Sequence, residues 1–249
     1  MSTELKVIYF DAGGTILRVR RSVGHVYSDA VRRFGYEVPP DEVNLRFRRA
    51  WKKSLERRRD DGYVCTDEIL REEWARIVVD SFDGLVPRQD ALEAFEDIFE
   101  SFCTADAWQL AEGALDTLRA LAGRVPLGIL SNWDSRLEET LDAMGILEFF
   151  SHRVISYQVG HEKPHPRIFG EAVRQAGVAP EQILHVGDLL EWDIRPARGC
   201  GFHTLWVRGD VSESADLPGA GEAPRGRSVS VARFGEVLTA IERHFRLPS

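Results

Sequence analysis

The sequence predicts an α/β protein: buried parallel strands form the core, and a helical insert lies near its beginning. Three observations predict this. Short runs rich in Val, Ile and Leu, apolar on both faces, recur from Val125 onward with helix-length segments between them, the pattern of a parallel sheet covered on both sides. One further run of this kind, residues 5–10 (LKVIYF), stands alone far upstream. Residues from about 18 to 107 lack such runs and carry helical periodicity broken by turn signals.

Taken in order, LKVIYF is the first strand. The insert follows, with helix patterns separated by GYEVPPDE, RRRDDGYVCTDE and FDGLVPRQD, which makes about four helices. In the second of these, Phe47, Ala50, Trp51, Ser54 and Leu55 fall at i, i+3, i+4, i+7 and i+8, so they form the expected buried face; Arg46, Arg49, Lys53 and Arg57 point away and read as a solvated basic face. After the insert come VPLGIL, HRVISY, QILHVG and FHTLWV, four more strands. Between them, residues 135–149 and 166–176 place their apolar positions at helical spacing. The polar, Gly/Pro-rich stretch 209–227 reads as a long surface loop, followed by SVSV as a sixth strand and FGEVLTAIERHF as a closing helix.

At 249 residues and 43% hydrophobic content the chain can bury a full core. Its net charge of -8 argues against binding nucleic acid by general attraction. Cys65, Cys103 and Cys200 are odd in number, far apart and in no metal-ligand spacing, so they are expected as buried thiols in a reducing compartment. The early acid and lysine and the shortness of the first apolar run fit neither a signal peptide nor a membrane span, so a soluble, cytoplasmic protein with no membrane partner is expected. Monomer and homodimer stay equally open. Lysine is scarce, with Lys6, Lys52, Lys53 and Lys163 against many arginines, so a lysine at a strand end draws notice.

The polar residues cluster where the strands end. Asp11 follows the first strand, Ser131-Asn132 end LGIL, Lys163-Pro164 follow VISY, and Asp188 follows ILHVG with Asp193 five residues on. Ligands of open α/β sheets bind outside the carboxyl ends of the strands. Clustered carboxylates call for a hard cation, and Mg²⁺ takes one or two of them with waters and a substrate phosphate; Asp11, Asp188 and Asp193 supply that set. A lysine is a point charge suited to a phosphoryl group, Ser131 and backbone amides suit its oxygens, and Asp11 can attack phosphorus. Any one of these residues alone would read as a helix cap or a turn. Their joint order at successive strand ends points to a small phosphorylated or anionic substrate.

YFDAGGTIL, GILSNWD, GHEKPHPRIF and HVGDLLEWDIRPARGCG resemble the four motifs of the haloacid dehalogenase (HAD) superfamily, in the subfamily with a helical cap between the first and second motifs. The combination of DAGGT and SNWDSRL is most similar to its rhythmically-expressed-gene-type branch. The resemblance implies a Rossmann-like three-layer core from residues 1–17 and 108–249, with an inserted α-helical cap at 18–107. It implies a hydrolase in which Asp11 is the nucleophile, Lys163 holds the transferred group, and Thr15, Ser131 and Asn132 bind that group. It further implies that Asp11, Asp188, Asp193 and the backbone carbonyl of Gly13 serve Mg²⁺. His165 stands where the family usually has Asp.

The motif also lacks something. Phosphatases of the superfamily carry D-x-D-x-T, whose second acid protonates the leaving alcohol and then activates water; here that position is Gly13. Such a group is worth on the order of 10²–10⁴ in rate. His25 or Tyr27 are expected as possible substitutes, and three alternatives accompany the phosphohydrolase reading. A dehalogenase needs no proton for its leaving halide but has no use for the Asp188/Asp193 pair. A phosphonatase would use Lys52 or Lys53 of the cap. A catalytically weak phospho-ligand or protein-binding module would need no acid at all.

Overall fold

In the computed structural model the described residues are 4–58, 63–209 and 226–248. A six-stranded sheet forms the core. Its strands are β1 (Val7–Phe10), β4 (Leu127–Ser131), β5 (Phe150–Ile155), β6 (Ile183–Gly187), β7 (His203–Val207) and β8 (Ser228–Val231). They lie in the order β5-β4-β1-β6-β7-β8, and every pairing is parallel. The register sets Phe10 beside Ile129 and Val186, so Asp11, Ser131 and Gly187 finish at one edge. A parallel sheet is buried on both faces, which is why four of these strands read as uninterrupted apolar runs.

Helices cover both faces. On one, α8 (Pro166–Ala176) and α9 (Arg195–Gly199) pack Ile168, Phe169, Ala172 and Ala197 onto Val7, Tyr9, Leu130 and Val154. The Tyr9 hydroxyl donates to the Ala172 carbonyl at 2.9 Å, satisfying a buried polar group inside this layer. On the other face lie α5 (Ala114–Leu121) and α10 (Val237–His244), and Phe10 meets Phe234 ahead of α10. The architecture is Rossmann-like α/β. No helix among the described residues is long and apolar enough to cross a membrane.

The chain divides into two compact units: one holds residues 1–18, 110–134 and 145–249, the other 19–109 and 135–144. The insert read at 18–107 thus has as its counterpart a unit that also takes in α6 (Arg136–Ala143). The reason lies in Arg136, whose guanidinium stacks 4.5 Å over Trp74 and 3.7 Å over Phe99. Two three-residue strands, β2 (Leu17–Val19) and β3 (Trp108–Leu110), pair where the chain passes between the units. Both were unexpected, since three residues are too few to show a period.

The second unit is otherwise built from α1 (Val23–Arg32), α2 (Pro40–Arg57), α3 (Asp67–Ser81) and α4 (Arg88–Ser101). Tyr27 is its central aromatic, edge-on to Phe47, tilted against Phe82 and accepting from Trp74 Nε1 at 3.0 Å. The buried face of α2 is shifted from the one expected: Val43, Ala50 and Ser54 are buried, Phe47 and Leu55 are half-buried, and Trp51 is 39% exposed, stacked on Phe47 with the Arg58 guanidinium above it. The buried stripe runs through Val43, Ala50 and Ser54, the last donating to Glu73 of α3 at 3.0 Å, and leaves Trp51 and Leu55 at its rim.

Three further expectations resolve as follows. The strand expected at HRVISY begins earlier, at Phe150, and Ser156 and Tyr157 already belong to the short helix α7 (Ser156–Val159). Cys65 is buried, whereas Cys103 and Cys200 are half-buried, and all three are thiols outside any disulfide. Most of the stretch read as a surface loop, residues 210–225, lies outside the described residues.

Glu73 also generates a prediction. Its carboxylate is buried against α2 and α3; burial alone would raise its pKa, but hydrogen bonds from Arg57, Arg76 and Ser54 outweigh this and hold it below its ordinary value of 4.5. A depressed folded pKa contributes stability that is present above pH 4.5 and is lost as the pH falls through the folded value. In chemical denaturation, Glu73→Gln is therefore expected to be less stable than the native protein at neutral pH, with the difference shrinking on acidification. A difference that stays constant with pH would show that these charges do not favour the folded state.

Candidate active site

The site is built at the carboxyl edge of the sheet, entirely within the first unit. Asp11 leaves β1 and still pairs with the sheet, its N–H donating to the Val186 carbonyl at 2.8 Å. Its side chain is only 6% exposed. Oδ1 accepts from Ser131 Oγ at 2.9 Å and from Lys163 Nζ at 2.7 Å, and Oδ2 lies 3.2 Å from Thr15 Oγ1. Thr15 is equally close to Asp188 Oδ1, so its single proton is shared between the two acids.

Lys163 arrives from the loop after α7 and is 2% exposed. Its ammonium bridges Asp11 and Asp193, the latter at 2.5 Å. Asn132 fixes the loop: its Oδ1 accepts from the Lys163 N–H at 2.7 Å and its Nδ2 donates to the Lys163 carbonyl at 2.9 Å. One Nδ2 proton remains for a ligand.

Asp193 is carried on a π-helical turn, Leu190–Ile194, a feature that often marks functional sites. Both its oxygens are occupied: Oδ1 by Lys163 and by His185 Nε2 at 3.0 Å, Oδ2 by the Leu189 N–H at 3.0 Å. Asp188 is different. It is half-buried, its carbonyl is held by Trp206 Nε1 at 2.9 Å, and its carboxylate meets Thr15. Carboxylate oxygens of Asp11, Asp188 and Asp193 all lie within 4.8 Å of one another.

The electrostatics follow from this crowding. Burial raises the Asp188 carboxyl well above the usual range, and the charges of Asp11 and Asp193 push it further. Burial also raises Asp11, against the pull of the Lys163 ammonium. For Asp193, burial alone would raise the carboxyl, but Lys163 and the His185 hydrogen bond outweigh it and hold the group well below the carboxylate range. Burial opposes the Lys163 charge, yet its two carboxylate partners more than compensate and raise its pKa. With all three acids ionised, three carboxylates against one ammonium leave two negative charges, the complement of a dication, and a dication beside Asp188 would oppose the burial that raises it. The donor set therefore fits Mg²⁺, with Asp11 and Asp188 the acids best able to reach it.

Every sequence-read residue, namely Asp11, Gly13, Thr15, Ser131, Asn132, Lys163, Asp188 and Asp193, lies in this region of the first unit. Two features were missed. His185, fully buried on β6, orients Asp193; a histidine inside an apolar strand carries no local signal of that task. Trp133 lies over Gly13, a contact between distant parts of the chain. His165 does an aspartate's work at the start of α8, its Nδ1 accepting from the Arg167 N–H at 3.2 Å. Tyr27 is buried in the helical unit, and His25 Nδ1 lies 2.7 Å from Ser22 Oγ.

The family model for haloacid dehalogenase-like hydrolases matches residues 5–201. The chain belongs to this family. The HAD chain is 32% identical over 209 residues to human haloacid dehalogenase-like hydrolase domain-containing protein 3, covering 83% of each chain. It is 26% identical over 217 residues to the Rhythmically expressed gene 2 protein of Drosophila melanogaster, covering 82% of this chain and 84% of that one, in keeping with the branch read from DAGGT and SNWDSRL. Its fold is shared by the HAD-hydrolase YfnB of Bacillus subtilis, a structure bound to magnesium, with a TM-score of 0.73, 18% identity, and coverage of 96% of this chain and 99% of that one. This HAD protein is thus a hydrolase.

The buried pairing of Lys163 sets its expected behaviour. Removing one partner of a buried ion pair leaves uncompensated charge, which costs about 3–5 kcal/mol. Lys163→Ala is expected to lose stability of that order in urea unfolding at neutral pH with Mg²⁺ absent, while Lys163→Arg loses less. A loss below about 1 kcal/mol, the size of an exposed pair, would mean that water reaches the acids.

Proposed function

We propose that this HAD hydrolase is a Mg²⁺-dependent phosphohydrolase acting on a small phosphorylated compound through an aspartyl-phosphate on Asp11. The convergence of Asp11, Asp188 and Asp193 within 4.8 Å, with the Lys163 ammonium between two of them, carries this reading. A Mg²⁺ held by Asp11, Asp188 and the Gly13 carbonyl would offset the charge of the phosphoryl group. Asp11 attacks phosphorus through a carboxylate oxygen. Ser131, Thr15 and the free Nδ2 proton of Asn132 offer donors to the phosphoryl oxygens, and Lys163 counters their charge. Asp193, committed to protein donors, serves mainly to hold Lys163 in place. The helical insert, residues 18–107, acts as the cap that selects substrate.

The magnesium bound to YfnB, which shares the fold, supports the metal assignment. The alternatives fare less well. Halide displacement has no use for Asp188, the carboxylate left for a cation. A Schiff-base lysine needs a sheltered amine, whereas Lys52 and Lys53 are exposed and Lys53 pairs with Asp80 at 3.5 Å.

Two measurements test the reading. Mg²⁺ is expected to raise the melting temperature, by the equivalent of about 2.7 kcal/mol when present at ~100 times its Kd, and Asp188→Asn to reduce that rise. With Mg²⁺, the purified protein is expected to release phosphate from acetyl phosphate or 4-nitrophenyl phosphate, and Asp11→Asn to abolish release. Mg²⁺-dependent stabilisation without phosphate release from any phosphate ester or anhydride would make the protein a phospho-ligand binder instead.

A further inference from the structure

The two glycines of DAGGT are there for different reasons. Gly14 has φ +83°, and a Cβ on it would come within 2.3 Å of Asp188 Oδ2, so backbone and site both demand glycine. Gly13 lies outside the left-handed region, so its backbone accepts an L-residue. What stands in the way is Trp133: a Cβ on Gly13 would lie 3.0 Å from Cζ3, 3.7 Å from Cη2 and 3.8 Å from Cε3 of the indole. The backbone of Trp133 is clamped by Ser156, whose Oγ accepts from the Trp133 N–H and donates to its carbonyl, both at 3.0 Å. Ser156 is fully buried, so the clamp is held by the core.

We infer that Trp133 is a specificity-determining residue: its indole occupies the space of a side chain at position 13 and presents an apolar wall two residues from Asp11, which restricts the enzyme to phosphates whose leaving group departs as a stable anion. The inference rests on the phosphohydrolase reading and narrows its substrate class to acyl and aryl phosphates. Within the sheet unit, the titratable groups around Asp11 have other tasks, Asp188 being kept for the cation, and the remaining Ser131, Thr15 and Asn132 protons face the phosphoryl oxygens. Lys163 Nζ binds two carboxylates, and fully buried His185 is spent on Asp193. On the Gly13 side the neighbour is a ring edge with no proton to give.

The step balances without a proton donor. An Asp11 oxygen forms a bond to phosphorus, the bond from phosphorus to the leaving oxygen breaks, and its electron pair departs on a carboxylate or phenolate. Water then attacks phosphorus, the bond to Asp11 breaks, and inorganic phosphate and the Asp11 carboxylate are released, the proton of water passing to phosphate or solvent. An alkoxide is too basic to leave this way. A planar leaving group can in addition stack on the indole.

Two experiments test this. The first reads packing alone, by thermal denaturation. Gly13→Ala is expected to destabilise the native protein and to cost markedly less in a Trp133→Ala background, because the ring is what its methyl meets. Equal costs in both backgrounds would overturn the assignment of that space to Trp133.

The second compares kcat/KM with Mg²⁺ for acetyl, 4-nitrophenyl, phenyl and glycerol phosphates. The native rate should fall steeply as the leaving group becomes more basic. Trp133→Phe should keep, and Trp133→Ala should lose, the part of the aryl preference that stacking on the ring supplies, whereas the fall from phenyl to glycerol phosphate should persist in both, since neither variant adds a proton donor. Gly13→Asp with Trp133→Ala should raise glycerol phosphate turnover by ~10-fold or more over either single variant. Flat native rates across the four, or a double variant no better on glycerol phosphate than either single variant, would overturn the inference while leaving the phosphohydrolase reading intact. Release from none of the four would overturn the reading itself.

Discussion

Three carboxylates gathered at one end of a sheet repel one another, and they can stay there because the Lys163 ammonium sits 2.7 Å from Asp11 and 2.5 Å from Asp193. Much of the surrounding structure serves this arrangement. Asn132 grips both backbone polar groups of Lys163, so the loop after α7 is tied to the end of β4. The π-helical turn aims Asp193 back toward the sheet, and His185 and the Leu189 N–H hold it there. A buried ion pair of this kind is poor evidence for stability as such. Its value lies in fixing the position of Asp11 and in leaving negative charge at the sheet edge.

The absence of a second acid in the first motif is a packing fact as much as a chemical one. Trp133 follows Ser131 and Asn132 directly, so the segment that donates to Asp11 and grips Lys163 also supplies the ring against Gly13. A change at either position is therefore felt at the other, and reverting one residue toward the phosphatase pattern does not recreate a phosphatase site. His165 is the contrasting case. It departs from the family pattern, yet its ring nitrogen caps α8 as a carboxylate would.

Much of this was legible in the sequence because it is local. Fully buried parallel strands announce themselves as runs such as VIYF and ILHVG, and the polar residue ending each run stands at the sheet edge. Asp11, Ser131 and Asp188 were legible in that way, and Lys163 and Asp193 by standing on the segments that follow such runs. What escaped depends on distant contacts. Trp51 fits an apolar stripe by spacing, but the stripe that is buried runs through Val43, Ala50 and Ser54 and leaves it at the rim. Strands β2 and β3 exist only through each other, and α6 sides with the helical unit because Arg136 finds Trp74 and Phe99 there. His185 looks like any core residue until Asp193 is placed beside it.

The place of β1 in the sheet has a consequence for how the protein comes to be made. β1 lies between β4 and β6, its two hydrogen-bonded neighbours, which begin at Leu127 and Ile183. A ribosome adding about 5–20 residues per second completes the first neighbour several seconds after β1, and the second later still. During that interval VIYF is an unpaired apolar strand, the kind of segment that chaperones shield and that aggregates when they do not. The helical insert, whose contacts lie close together in sequence, can fold meanwhile and keep much of the intervening chain compact. Asp11 thus emerges early and waits for Ser131, Lys163, Asp188 and Asp193, so the carboxylate cluster cannot assemble before the sheet is closed around it.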